Sequence, residues 1–157
     1  MPHFSKTKRV VVPADLAYQV AADVGAYKEF LPLVQRSQVR GEKRMESGVE
    51  VFDAELVVVY DKLGLRGAFV SRVTCDKSRR EVMATSSEGA FRSMQTLWSI
   101  KPAGPYSDVS VTIDYALKNP LLQIAMAGAM GMAVEKIMTA FEQRSKSLAA
   151  SIVQPQA

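Results

Sequence analysis

Apolar and polar residues alternate along most of this chain between residues 34 and 117, and a three- and four-residue spacing takes over after residue 119. In 49–60, Phe52, Ala54, Leu56, Val58 and Tyr60 alternate with Asp53 and Glu55. This is the period-two signature of a half-buried strand. Gly67, Phe69, Ser71, Val73 and Cys75 share one face of the next strand, opposite Arg66, Arg72 and Thr74. A strand over 80–87 follows, then one with Met94, Thr96, Trp98 and Ile100 on a common face. In 107–117, Val109, Val111, Ile113, Tyr115 and Leu117 oppose Asp108, Ser110, Thr112, Asp114 and Ala116. Residues 34–44 read as a mostly polar strand, and turns are expected at Gly48, Leu63-Gly64, 76–79 and 102–105. Before them lie a strand over 4–12, a helix from Pro13-Ala14-Asp15 to a stop near Gly25, and a second short helix over Tyr27–Leu31, broken at Pro32.

From Asn119 to Leu148 the pattern predicts one helix of roughly thirty residues, about 45 Å long. Asn119 suits the N-cap, and Pro120 suits the first turn, where its missing N–H costs nothing. Leu122, Met126, Ala129, Met130, Ala133, Ile137, Phe141 and Leu148 fall on one face. Gly128 and Gly131 interrupt the interior, each at about 1 kcal/mol relative to Ala. They thin the helix, weaken it, or admit a close neighbour. Met126, Met130, Met132 and Met138 crowd the same region and read either as an adaptable core or as a deformable pocket wall. Leu121 and Ile124 point away from the main face. The apolar first half, 121–134, is shorter than the ~20 residues a membrane span needs.

The order is strand, two helices, six strands with short loops, and a long helix. Short loops between consecutive strands imply an antiparallel meander, apolar on one face. The expected fold is therefore α+β, with a curved antiparallel seven-stranded sheet wrapped around a long C-terminal helix and two short helices after the first strand. One domain is expected over 1–152, with a loose tail at 153–157.

Composition narrows the chemistry. The chain has 157 residues, a net charge of +4, one His and one Cys. His3 is the only His available to a Ser–His–acid or Cys–His arrangement, and its terminal position disfavours that use. One His and one Cys cannot fill a four-coordinate metal site, so neither a catalytic residue nor a metal is expected. Asp53, Glu55, Asp108 and Asp114 point outward by parity, and Cys75 reads as a small buried residue. With one Cys there is no internal disulfide, and the opening residues hold no apolar secretory run. Both point to the cytoplasm, with a peripheral place at the inner membrane face left open. The basic residues Lys6, Lys8, Arg9, Arg36, Arg40, Lys43 and Arg44 are not interleaved with stacking aromatics, which disfavours DNA. They are compatible with a solvated face, an anionic membrane or RNA. Arg144 lies toward the apolar side of the helix, placed either for an ion pair at the sheet edge or for a ligand head group. Ser71, Ser86, Thr96 and Tyr115, with Tyr60 nearer a strand end, point inward; each hydroxyl either bonds nearby backbone or serves a pocket.

The element order resembles the START-like, helix-grip superfamily. Within it the chain resembles the coenzyme Q-binding protein family, grouped with polyketide cyclase/dehydrase-type lipid-transport proteins. The residues that carry the likeness are Tyr27-Lys28-Glu29-Phe30-Leu31-Pro32, Phe52-Asp53-Ala54-Glu55-Leu56 and Ser71-Arg72-Val73. Trp98 before a Pro-containing turn, Tyr115, and Phe141-Glu142-Gln143-Arg144 complete it. The likeness spans about residues 3 to 149. It implies a ligand site between sheet and helix formed by Leu31, Phe52, Leu56, Val58, Phe69, Ser71, Val73, Phe91, Trp98, Tyr115, Met126, Met130, Ile137 and Phe141. The mouth would lie near Tyr27 to Leu33 and the 88–92 loop. It also implies a non-enzymatic chaperone for an isoprenoid quinone such as ubiquinone, or a similar polyprenyl lipid, that supports respiratory electron transport. Some bacterial relatives are ribosome-associating toxins that block subunit joining, and this is the alternative. Cyclase or aromatase activity also occurs in the superfamily, and the lack of inward acids or bases disfavours it here.

Overall fold

In a computed structural model, which describes residues 3–61 and 64–153, the chain runs β1 (His3–Val10), α1 (Ala14–Ala22), a 3-10 helix (Val24–Glu29), β2 (Val34–Glu46), β3 (Val49–Tyr60), β4 (Leu65–Asp76), β5 (Glu81–Ser86), β6 (Phe91–Ala103), β7 (Tyr106–Leu117) and α2 (Pro120–Val153). The strands form one sheet in the order β1-β7-β6-β5-β4-β3-β2, antiparallel throughout. This is the curved seven-stranded, helix-gripping architecture that the alternation predicts.

Register puts the expected faces where parity places them. Phe52 pairs with Val73, Ala54 with Ser71 and Leu56 with Phe69 on the concave side. On the convex side Asp53 faces Arg72 and Arg9 faces Asp108. The inward rows bury Val73, Cys75, Val82, Trp98, Ile100, Val109, Val111 and Tyr115 into one core with α1 and α2.

The helices after β1 differ from expectation. β1 stops at Val10, and α1 ends at Ala22 because Asp23 leaves helical geometry (φ −84°, ψ 68°). The second helix is a 3-10 helix that begins at Val24, before the expected Tyr27. Six residues with a glycine among them are too few to sustain an α-helix unaided. Side chains hold it instead. The Tyr27 hydroxyl donates to the Ala21 carbonyl. The Ser37 hydroxyl donates to the Gly25 carbonyl (2.8 Å) and accepts from the Lys28 N–H (3.0 Å).

α2 begins at the expected cap. The Asn119 side-chain oxygen accepts from the N–H groups of Leu121 (2.9 Å) and Leu122 (3.3 Å). The helix runs to Val153, past Leu148. The rest of the expected tail, 154–157, lies outside the described residues, as does Leu63 of the expected turn. α2 packs against β1, β7 and α1. Ion pairs tie it down at Lys6–Glu135 (2.6 Å), Lys8–Glu142 (3.1 Å) and Arg144–Glu29 (3.4 Å). Pro120–Ser151 taken as a whole is long and apolar enough to cross a membrane by length and composition alone, which the first half was not expected to be. Leu121 and Ile124 are 78% and 72% exposed, as their phase requires. A Cβ added at Gly128 or Gly131 would meet nothing within 4 Å. Among the described residues no protein atom therefore makes use of the space these glycines leave, and their weakening of the helix stands.

Candidate functional site

Between the concave face of the sheet and α2 lies a cavity of about 210 Å³. β3 contributes Leu56, Val58 and Tyr60, and β4 contributes Gly67, Ala68, Phe69, Ser71 and Val73. Val82 and Ala84 come from β5; Phe91, Met94, Thr96 and Trp98 from β6; Ile113, Tyr115 and Leu117 from β7. α2 closes the space with Met126, Ala129, Met130, Ala133 and Ile137. Strand parity and helix phase thus converge on one partly open cavity. Half-buried Pro32, Leu33, Ala90 and Phe91 form its rim. Leu33 has a positive φ of 74°, and its carbonyl accepts from the Val59 N–H at 2.8 Å. Gly89 (φ +63°) passes so close to β4 that a Cβ there would stand 2.8 Å from the Ala68 carbonyl oxygen.

Eleven of the residues singled out from sequence line this cavity: Leu56, Val58, Phe69, Ser71, Val73, Phe91, Trp98, Tyr115, Met126, Met130 and Ile137. Three do not. Leu31 faces a separate, charge-lined groove between the 3-10 helix and α2. Phe52 is 2% exposed and packs in the core, with the Lys43 ammonium 4.8 Å from its ring. Phe141 is fully buried behind Trp98, stacked on it at 4.8 Å. Parity reports the face a side chain is on, not whether the space beyond it is filled. The alternation already contained the further liners Val82, Ala84 and Ile113, whereas Leu33 and Ala90 sit on loops that carry no periodic signal.

Among the described residues no Asp, Glu, Lys, Arg or His lines the cavity. The carboxylates lie on the convex face and are paired: Asp53 with Arg72 (2.8 Å), Glu55 with Arg40 (2.6 Å), Asp108 with Arg9 (2.9 Å) and Asp114 with His3. The Arg9 hydrogen bond holds Asp108 below the usual carboxylate range. Arg144 reaches Glu29 and lies 5.3 Å from the Phe30 ring, the structural role of the two considered. Three of the four methionines divide between the two readings, with Met138 in the core and Met126 and Met130 on the cavity wall, whereas Met132 is exposed and serves neither.

The polar atoms inside divide as well. Thr96 donates to the Met94 sulfur (3.2 Å), whereas Ser86, expected inward, lines a separate groove with Asp53 and Arg72 and donates to the Val70 carbonyl (2.8 Å). The hydroxyls of Ser71 and Tyr115 are buried without a partner. Among the described residues no group of three or more His, Cys, Asp or Glu side chains is placed to hold a metal.

Residues 10–142 match the family model described as polyketide cyclase / dehydrase and lipid transport. The ribosome association toxin RatA of Pseudomonas aeruginosa is 27% identical over 149 residues, covering 93% of this chain and 96% of that one. The protein of the same name from Escherichia coli K12 is 24% identical over 149 residues, covering 94% and 89%. Among solved structures, an 18 kDa protein from Caulobacter crescentus superposes with a TM-score of 0.79 at 28% identity, covering 96% of this chain and 99% of its own. The Zhui aromatase/cyclase from Streptomyces sp. R1128 gives a TM-score of 0.83 at 17% identity, covering 98% and 99%, and shares the fold.

Proposed function

We propose that this chain, which belongs to the polyketide cyclase/dehydrase and lipid transport family, is a non-enzymatic carrier for a neutral, oxygen-bearing apolar molecule, an isoprenoid quinone of the ubiquinone kind or a related polyprenyl lipid. It would hold the ligand in the cytoplasm or at the inner face of the membrane, in support of respiratory electron transport. The observation that carries this reading is the cavity itself, which is apolar, furnished with hydroxyls and, among the described residues, lined by no acid, base or cation. Burial of the ligand's hydrocarbon supplies affinity at about 25 cal/mol per Å² before ordering costs. The described lining offers no carboxylate, imidazole or amine for general acid–base catalysis, which favours a carrier.

The test is native mass spectrometry with organic extraction of protein purified from its own cells. A quinone or polyprenyl lipid near one per chain is the expected result. Met130→Trp, which fills the cavity wall, should remove that ligand while the variant stays folded. A folded Met130→Trp protein that still carries it would overturn the placement.

A second reading follows from the names of the curated relatives, the ribosome association toxins. On this reading the protein binds the large ribosomal subunit and blocks subunit joining. It predicts sedimentation with that subunit at low salt and steep release as salt rises. Arg40, Lys43 and Arg44 on and around β2 already pair with Glu55, Glu50 and Glu46, which reduces the charge they offer to RNA. No sedimentation at low salt would exclude this reading.

A further inference from the structure

Buried hydroxyls normally find a partner, and one left alone costs about 1–3 kcal/mol of desolvation. This cavity holds two such groups, Ser71 at 1% exposure and Tyr115 at 0%. They belong to one band across the sheet. Tyr115 pairs with Met94, and Met94 with Ser86, whose hydroxyl is fixed by the Val70 carbonyl next to Ser71. Ser71, Met94 and Tyr115 of this band are buried, whereas the rim residues Leu33, Ala90 and Phe91 are half-buried. Tyr115 is held in orientation by stacking on Phe4, with ring centroids 6.2 Å apart. Burial raises its phenol above the usual range, so it remains a donor. The cavity volume, about 210 Å³, is below the 300–1,000 Å³ usual for pockets that take whole drug-sized ligands. It suits a ring-sized head and the start of a tail. Among the described liners an ionised head would meet no cation or anion, and burying an unpaired charge is far more costly than burying a neutral acceptor.

We propose that the ligand enters head first, that its head is uncharged and carries carbonyl-type acceptors, and that the Ser71 and Tyr115 hydroxyls donate to them while the tail leaves through the rim. The proposal rests on the reading of this cavity as a ligand site and specifies which end is recognised. Ser71 and Tyr115 become the specificity-determining residues, and the pocket discriminates against fatty acids of the same length.

The full-length chain is titrated with three probes whose alkyl tails differ by at most one carbon: a decyl-substituted 1,4-benzoquinone, decylbenzene and decanoate. Binding is read by calorimetry and, for the quinone, by quenching of Trp98, the one tryptophan in the chain. The quinone should bind tightest and decanoate weakest. Ser71→Ala and Tyr115→Phe should each weaken the quinone about three- to tenfold, the loss of one net hydrogen bond. Both should leave decylbenzene unchanged, and neither should lower the melting temperature, since each removes an unsatisfied group. Quinone affinity equal to wild type in both variants, or decanoate binding as tightly as the quinone, would overturn the proposal. Failure of both quinone and decylbenzene to bind the wild-type protein would overturn the ligand-site reading beneath it.

Discussion

Cys75 shows how burial alone fixes the behaviour of a reactive group. Its thiol is pushed up from 9.0 to about 11, chiefly by burial and then by the nearby Glu50 carboxylate. The folded chain therefore keeps a proton that the unfolded chain releases. Stability from this group is complete below about pH 9 and is lost as pH rises toward 11, with a slope of at most about 1.4 kcal/mol per pH unit. Urea unfolding at pH 8, 9, 10 and 11 should trace this fall, and Cys75→Ala should remove part of it. The Tyr18 phenol, pushed up to about 12 by burial and by Cys75, carries the decline further. At the same scale, alternation placed Ser71, Ser86, Thr96 and Tyr115 on the inward face, but which of them lack a partner was not legible. Ser86 stands at the end of its strand within reach of a carbonyl, and Thr96 beside a sulfur. Such reach depends on three-dimensional neighbours that no residue spacing encodes.

Among the elements, α2 separates burial from composition most clearly. Phe141 and Leu121 are both large and apolar on the same helix, yet one is fully buried against Trp98 and the other faces water. Phe141→Ala should cost about 3–5 kcal/mol, the range for deleting a buried aromatic. Leu121→Ser with Ile124→Ser should together change stability by no more than about 1 kcal/mol. Denaturant titrations of the two variants check the contrast, and a severe loss in the surface pair would mean that this face is covered. Helix phase made the contrast legible, because a 3.6-residue period over thirty positions leaves little ambiguity. The 3-10 helix gave no comparable signal. Six residues make only two 3-10 turns, and tertiary hydrogen bonds from Tyr27 and Ser37, not local propensity, decide its form. Phe52 lies outside the cavity for a related reason, since a position on the inward face says nothing of how deep the neighbouring side chains fill.

For the whole molecule, short loops between alternating segments made the antiparallel order legible. Cavity size was not, because it is a small remainder after many side-chain volumes are packed. How α2 is tied to this frame has further consequences. The ion pairs to β1 and to the 3-10 helix all fall at Glu135 or beyond. The first four turns are held by the Asn119 cap, a Gln123 bond to the Leu117 N–H and the methionine contacts, and contain two helix-weakening glycines. Amide exchange should accordingly be faster over 122–131 than over 136–148, and uniform protection along the helix would refute this gradient. If its first turns lift independently, α2 acts as the pocket's clock. Residence time would then follow the stability of one half-helix and lengthen in Gly128→Ala and Gly131→Ala variants, whose lining is unchanged.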